Sequence, residues 1–310
     1  GRRFVTFATA ASMNGYTSVT ASITEGGFKK SLKSHTPDAL FMDIEVAAKA
    51  PAFLARSGLG DSLCRSTAQV DWRLSKALNG TPYFEVPFLM QAEDEKRLLE
   101  LAAGLDKGDK AAIEALYRVL TWAGLGTCFT GTSHHGSMSE HLISHWIDMF
   151  AGSDHPGSLH GHQVGVAALS MSRLQHEILT ADRPPVLSPD RVNAADLTAR
   201  YGEEIGALAI AEMTAKALDA HSVKRVERLW AEWDAFRAPL LEVMLPTKTL
   251  HDALAACGGY TLATDMGLPP PVYREAITRA REIRNRFSIL DIAAMAGVLD
   301  SFAEREAFNP

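Results

Sequence analysis

Hydrophobic and polar residues are patterned differently in the first 45 residues and in the rest of the chain. Residues 4–7 form a short β-prone run, and a turn rich in Thr, Ser and Gly follows it. Residues 18–23 alternate as a strand does, and after a Gly-Gly turn residues 28–32 can pair back as a hairpin. The apolar run 39–42 predicts a buried strand.

From Ile44 onward the pattern is helical, because apolar residues recur at spacings of three and four. Ala, Leu, Glu, Arg and Met dominate there, and Gly, Pro, Asn and Asp separate the segments. The predicted helices cover residues 46–56, 60–77, 92–103, 110–123, 137–150, 162–181, 193–218, 221–238, 248–256, 271–284 and 288–304. We therefore predict an α+β chain that is mostly α-helical.

Composition excludes several classes of protein. The chain has 310 residues, of which 46% are hydrophobic and 22% charged, as in ordinary globular proteins. Its net charge of −6 gives no basic field for a nucleic acid, and no apolar stretch reaches the ~18 residues of a membrane span. The three cysteines, Cys64, Cys128 and Cys257, form no Cys-x-x-Cys pair, so we expect a reducing compartment and assign the protein to the cytoplasm.

Histidines are concentrated in one part of the chain. Seven of the 11 lie between positions 134 and 162, and His141 and His145 share one face of a predicted helix. Imidazole is the commonest metal ligand, and a carboxylate often completes such a site. Asp61, at a glycine-flanked helix start, could supply it, but by its spacing alone an N-cap is the favoured interpretation. His141 could also be a hydrogen-bonded core residue.

Other chemical motifs are weak. No Gly-x-Ser-x-Gly elbow occurs, and no cysteine has an evident histidine partner. Gly124-Leu125-Gly126 follows a helical run and is therefore a poor phosphate loop. The turn at 9–12 directly follows a strand, so its hydroxyls and amides could bind phosphate, although a plain turn is the alternative.

Five motifs, taken in order, resemble those of the glycerol-1-phosphate dehydrogenase family. This family belongs with the iron-containing alcohol dehydrogenases, glycerol dehydrogenases and 3-dehydroquinate synthases. The resemblance begins at Phe4 and continues almost to the C-terminus. The motifs are FATAASMNGYTS (7–18), SGLGD (57–61), GTS…SEH…H (131–145), HGxxVGV (160–166) and IRNRFSILD (283–291).

The resemblance implies a metal site formed by Asp61, His141 and His160. These ligands would come from three different helices or helix ends and would suit zinc, with nickel or ferrous iron as alternatives. The implied fold is dehydroquinate synthase-like. In it, residues 1–45 are the remnant of an α/β dinucleotide-binding domain and residues 46–310 are an all-α metal- and substrate-binding domain.

The resemblance also implies residues for the coenzyme and the substrate. His145 would contact the substrate or relay a proton to it. Asn14 stands where the family usually has a substrate-contacting Asp, and His162 stands where it usually has Glu. The residues implied to lie along NAD or NADP are Thr9, Ala10, Ala11, Ser12 and Ser18.

The implied activity is hydride transfer at C2 between dihydroxyacetone phosphate and sn-glycerol 1-phosphate, a step of phospholipid metabolism. We expect a homo-oligomer with a small phosphorylated substrate and no nucleic-acid partner. The family's Gly-rich dinucleotide-binding segment would precede Gly1, so we expect the chain to lack that N-terminal part. The alternatives are a 3-dehydroquinate synthase-like lyase, another polyol dehydrogenase, or a non-catalytic helical module.

Overall fold

A computed structural model describes residues 3–309 of the protein. Its strands are β1 to β4 and its α-helices are α1 to α13, numbered along the chain. The strands span Val5–Ala8, Thr20–Glu25, Phe28–Lys33 and Ala39–Met42. The helices span Ile44–Ala48, Ala52–Asn79, Val86–Leu101, Lys110–Thr130, Ser139–Phe150, His160–Leu179, Ala194–Ala215, Ala220–Trp230, Trp233–Leu241, Thr247–Ala256, Pro270–Arg279, Ile289–Met295 and Leu299–Phe308.

The strands form two separate pairs. β2 and β3 are the antiparallel hairpin that the sequence predicts, and Gly26 and Gly27 turn the chain with φ of +60° and +76°. β1 and β4 pair in parallel, with Phe7 opposite Phe41. The prediction that β4 is buried is wrong. Phe41 is 56% exposed, because only one face of this two-stranded ribbon packs on the helices, through Leu40.

The helical prediction is confirmed in outline and corrected at several boundaries. The segments predicted at 46–56 and 60–77 are replaced by the short α1 and one continuous 28-residue helix, α2. The predicted helix 221–238 divides into α8 and α9. The last predicted helix, 288–304, divides into α12 and α13 at Gly297, which has a φ of +71°. No helix within residues 3–309 is long and apolar enough to cross a membrane.

Glycines of α2 allow close packing and do not break the helix. A Cβ atom on Gly60 would lie 2.1 Å from the carbonyl oxygen of Gly161 in α6. A Cβ atom on Gly161 would lie 1.9 Å from the carbonyl oxygen of Ser57. Gly58 makes the same kind of approach to the backbone of Ala11 in the loop after β1. α2 therefore touches both α6 and the N-terminal segment backbone to backbone.

Two hydrophobic clusters meet along α2. One packs α2 against α5, α6 and the C-terminal helices around Leu142 and Met171. The other packs it against α3, α4 and α10 around Leu59 and Leu116. α2 is consequently fixed from both sides, and a polar residue in its first half is held among α5, α6 and the loop after β1.

Candidate metal and substrate site

Asp61, His141 and His160 meet at one point. Asp61 lies in the interior of α2, so its interpretation as an N-cap is wrong. His141 lies in the first turn of α5, and His160 is the first residue of α6. Nε2 of His141 is 3.5 Å and Nε2 of His160 is 3.9 Å from Oδ1 of Asp61. One ligand atom from each residue lies within 4.8 Å of the other two.

Both imidazole rings are oriented by bonds at Nδ1. Nδ1 of His141 lies 3.0 Å from Oε1 of Glu140, and Nδ1 of His160 lies 2.9 Å from the hydroxyl of Ser144. Each ring therefore turns Nε2 toward Asp61, whose other oxygen, Oδ2, accepts the backbone N–H of Asn14 at 3.0 Å. Two imidazoles held at Nδ1 beside a buried carboxylate are the donor set of a divalent transition metal, so these residues fit such an ion.

The charges in this cluster are strongly perturbed. Burial would raise the pKa of Asp61, but hydrogen bonding with His141 and the charge of His160 outweigh it and lower that pKa. Burial disfavours a charged His141, yet its bonds to Asp61 and Glu140 raise its pKa. Burial and repulsion from His141 lower the pKa of His160 to about 4, which keeps it neutral and able to coordinate.

His145 lies one helical turn beyond His141 and borders the same space. Its ring stacks on that of His160, with centroids 5.6 Å apart and planes 18° apart. Burial, followed by the charge of His160, holds its pKa well below the usual range. Its buried Nδ1 has no hydrogen-bond partner among the described residues, so the ring can bond a ligand.

These histidines open on a cavity of about 110 Å³ between α5, α6 and the β2–β3 hairpin. Asn14 lines it, as does Ser18, whose hydroxyl lies 3.3 Å from that of Thr127. The other residues that the resemblance assigns to the coenzyme lie outside the lining. Thr9 is exposed, whereas Ala11 is buried against α2.

Ala10 and Ser12 are half-buried in the same loop, where the carbonyl of Ser12 accepts the hydroxyl of Ser57 at 3.2 Å. His162 points away from the cluster, as its position in the helix predicts. Its Nε2 lies 2.9 Å from the carbonyl oxygen of Phe53.

Sequence reasoning missed three residues of the site. Glu140 is fully buried, and its carboxylate accepts the backbone N–H of Met138 at 2.7 Å as well as bonding His141. Arg284 and Arg286 line the cavity, although the sequence analysis assigned them no role beyond membership of a motif. Their i, i+2 spacing before a helix was the available signal, because such residues share one side of an extended segment.

Comparisons with known proteins identify relatives of this chain. The sequence profile of the family described as "Iron-containing alcohol dehydrogenase" matches residues 1–51. The glycerol-1-phosphate dehydrogenase [NAD(P)+] of Natronomonas pharaonis is 32% identical over 306 residues, which cover 96% of this chain and 68% of that protein. This chain belongs to the glycerol-1-phosphate dehydrogenase family. The predicted resemblance to this family is confirmed.

A second member of the glycerol-1-phosphate dehydrogenase family, from Bacillus velezensis, is 27% identical over 293 residues. The match covers 94% of this chain and 64% of that relative, so the chain spans less than two thirds of its length.

Solved structures show the same fold. A probable glycerol dehydrogenase from Sinorhizobium meliloti superposes with a TM-score of 0.55 at 17% identity, covering 97% of this chain and 70% of that one. A maleylacetate reductase from Rhizobium sp. gives a TM-score of 0.56 at 13% identity, with coverages of 97% and 66%. The predicted fold class is thereby confirmed for this member of the glycerol-1-phosphate dehydrogenase family.

Proposed function

We propose that this chain serves the metal-dependent, NAD(P)-linked interconversion of dihydroxyacetone phosphate and sn-glycerol 1-phosphate. The observation that carries the proposal is the convergence of Asp61, His141 and His160 beside one cavity, which the two histidines line, in a chain of this family. Three protein ligands leave coordination positions free, which a catalytic metal requires and a structural zinc does not.

Each residue around the cavity has a distinct task in this proposal. A bound divalent ion supplies Lewis-acid polarisation of the substrate's C2 oxygen. Glu140 and Ser144 keep Nε2 of the two imidazole ligands facing the ion. His145 is held neutral, and its free Nδ1 hydrogen-bonds a substrate hydroxyl or carries its proton. Asn14 offers an uncharged amide to the substrate from the cavity wall.

The coenzyme is proposed to lie along the loop after β1, at Thr9, Ala10, Ala11, Ser12 and Ser18. Support comes from the continuity of this loop with the metal cluster. It begins at the end of β1, its Asn14 amide bonds Asp61, and its Ser18 lines the cavity. In this assignment residues 1–45 belong to the coenzyme-binding unit and residues 46–310 form the metal- and substrate-binding unit.

We also propose zinc as the metal, a homo-oligomeric assembly and a cytoplasmic location. A carboxylate with two imidazoles suits zinc, although nickel and ferrous iron share the ligand preference. Cys64, Cys128 and Cys257 are all free, which suits a reducing compartment. Metal analysis of the purified protein and light scattering test the first two assignments directly.

The activity is tested by following NADH and NADPH at 340 nm with dihydroxyacetone phosphate, before and after chelation and zinc addition. We expect coenzyme oxidation that requires the metal and disappears in His141→Ala but persists in His162→Ala. Protein that binds both metal and coenzyme but gives no net oxidation contradicts the dehydrogenase and favours a synthase-like reaction. Protein with no affinity for metal contradicts both.

A further inference from the structure

A second cavity lies farther along α2, and we call it the α2–α9 cleft. It is bordered by α2, by α9 and by the segment that joins α2 to α3, and its volume is about 470 Å³, against about 110 Å³ for the metal cavity. Arg73 lies in its wall, roughly 18 Å along the axis of α2 from Asp61. Small-molecule sites in proteins usually enclose about 300–1,000 Å³, so the cleft has the size of such a site.

One guanidinium group holds the walls of the cleft together. Arg73 donates from Nε to the hydroxyl of Tyr83 at 3.1 Å and from Nη2 to Oε1 of Glu85 at 2.7 Å. Its Nη1 donates to the carbonyl oxygen of Pro239 in α9 at 2.6 Å. The hydroxyl of Tyr83 also accepts from Nε2 of Gln69 at 3.1 Å. These bonds join all three walls, so the cleft is formed before anything binds in it.

The surface of the cleft is mainly apolar and partly aromatic. The rings of Tyr83 and Phe236 line it, together with the side chains of Ala77 and Leu240. The ring of Phe236 is itself held by Trp233, with centroids 5.9 Å apart and planes 15° apart. Aromatic side chains that are fixed in this way offer a large apolar surface, which favours a ligand with a planar apolar body.

Lys76 gives the cleft a positive charge that no acid neutralises. The charges of Arg73 and Glu85 cancel in their own ion pair. Lys76 also lines the cleft, and no carboxylate oxygen in the described part of the chain lies within 4.0 Å of its Nζ. That Nζ lies 5.4 Å from the centroid of the Tyr83 ring. The ammonium group therefore borders the aromatic surface, where an anionic substituent of a bound ring can reach it.

We infer that the α2–α9 cleft is a second ligand site, which binds a small aromatic carboxylate with its ring against Tyr83 and Phe236 and its negative group beside Lys76. A neutral aromatic compound would use the rings without the lysine, and an inorganic anion would use the lysine without the rings. The site shares no lining residue with the metal cavity, so it does not depend on the proposed activity.

Calorimetric titration with naphthoate tests the site, and naphthamide, its uncharged amide, isolates the contribution of charge. We expect saturable binding of naphthoate to the zinc-loaded protein and about fivefold weaker binding of naphthamide. Lys76→Gln should weaken naphthoate binding about fivefold and leave naphthamide binding unchanged, because only the charge interaction is lost. Lys96 is exposed on α3 and provides the matched control, so Lys96→Gln should bind naphthoate as the unaltered protein does.

A substitution that fills the cleft tests the aromatic contacts. Ala77 is exposed in the last turn of α2 and lines the cleft. Ala77→Trp should therefore lower the affinity for both compounds at least about tenfold while the charge of Lys76 remains. Ala199→Trp, at an exposed position of α7, should leave both affinities unchanged. Circular dichroism and the zinc content of each variant establish that the fold and the metal site are intact.

Binding of naphthoate at the metal ion is the competing outcome, because carboxylates also coordinate zinc. His141→Ala removes a metal ligand and leaves the cleft unaltered, so we expect it to bind naphthoate with unchanged affinity. Loss of binding in His141→Ala, with full binding in folded Lys76→Gln and Ala77→Trp, would overturn the second site. Absence of saturable naphthoate binding by the unaltered protein would overturn it as well. Neither result bears on the dehydrogenase, because these titrations contain no coenzyme.

Discussion

Two groups of buried charged residues in this protein differ in how their charges are paired. Near the end of α7, Lys216 is fully buried and donates to Asp291 at 2.9 Å and to the carbonyl oxygen of Arg281 at 2.6 Å. Arg281 also pairs with Asp291 at 2.9 Å and with Asp190 at 2.5 Å. Two cations thus meet two anions, so their charges cancel inside the protein.

The cavity group is not paired with Lys or Arg in this way. Asp61 is bonded to imidazoles and to a backbone amide, and Arg286 is bonded to serine hydroxyls and a carbonyl. Both groups are largely buried, but of the two only this one lines a cavity that the structure describes. Burial of charge alone therefore does not indicate function. A buried charged group that faces a cavity without a counter-charge does indicate function, because only a ligand can offset the free-energy cost of its desolvation.

The paired group should matter most for stability. Lys216→Met leaves Asp291 short of a partner, and we expect it to lower the free energy of unfolding by about 3–5 kcal/mol. Urea denaturation of the metal-free protein measures this, with the exposed Lys224→Met as control. Metal affinity of the folded variant should not change. A decrease in the free energy of unfolding of less than about 1 kcal/mol would contradict this comparison, because it would show that the paired charges contribute little to stability.

The cavity group should matter most for metal binding. Asp61→Asn keeps the shape of the side chain but removes its charge, so we expect metal affinity to fall more than about 100-fold. Competition titration against a chromogenic chelator measures this affinity. His162→Ala, which alters a histidine outside the cluster, should bind metal normally. If His162→Ala loses the metal and His160→Ala keeps it, the ligand assignment is wrong.

The charge of Arg286 should also affect how the free energy of unfolding depends on pH. Burial, helped by Arg286, lowers the pKa of His135 to about 4, and its Nε2 lies 2.7 Å from the carbonyl oxygen of Ala123. Below pH 6.5 the unfolded chain therefore binds a proton at this position that the folded chain does not, so stability falls as pH falls.

We expect His135 to contribute a loss of about 2 kcal/mol between pH 7.5 and 5. Urea denaturation at both pH values should give a smaller difference for His135→Gln than for the unaltered protein. An unchanged difference would contradict the assigned burial of the neutral ring.

The smallest expected effect is on metal affinity, and it concerns Glu140, whose carboxylate bonds the metal ligand His141. Glu140→Gln keeps a hydrogen-bonding group at Nδ1 of His141 but removes the charge that orients and strengthens the imidazole, so metal affinity should fall about 10- to 100-fold. The same titration measures it. A loss as large as that of Asp61→Asn would make Glu140 a ligand in its own right.

Much of this site could be predicted from the sequence. The i, i+4 spacing placed His141 and His145 on one helical face, and both face the cavity. Spacing could not tell which ring meets a carboxylate, because that depends on how α2 and α6 cross. Asp61 and His160 were predicted as metal ligands from the order of the motifs. They lie too far apart in the sequence for a local pattern to indicate that they meet.

The errors have physical causes. Gly58 and Gly60 looked like a break, since glycine is a poor helix former, but here they face neighbouring backbone. Arg284 and Arg286 were assigned no role of their own, because a sequence does not show whether a charge has a partner. The prediction that β4 is buried is wrong for another reason. An apolar run shows that a strand could be buried, but only one face of this ribbon is covered by helices.

The glycine contact between α2 and α6 makes metal content a measure of correct assembly. Asp61 and His160 belong to segments far apart in the chain, and they meet only when Gly60 has docked on Gly161. A bound ion would then fasten the two helices together, adding about 2.7 kcal/mol when free metal is 100 times its dissociation constant. Misassembled molecules have no complete ligand set, so a preparation's metal stoichiometry should equal its properly folded fraction.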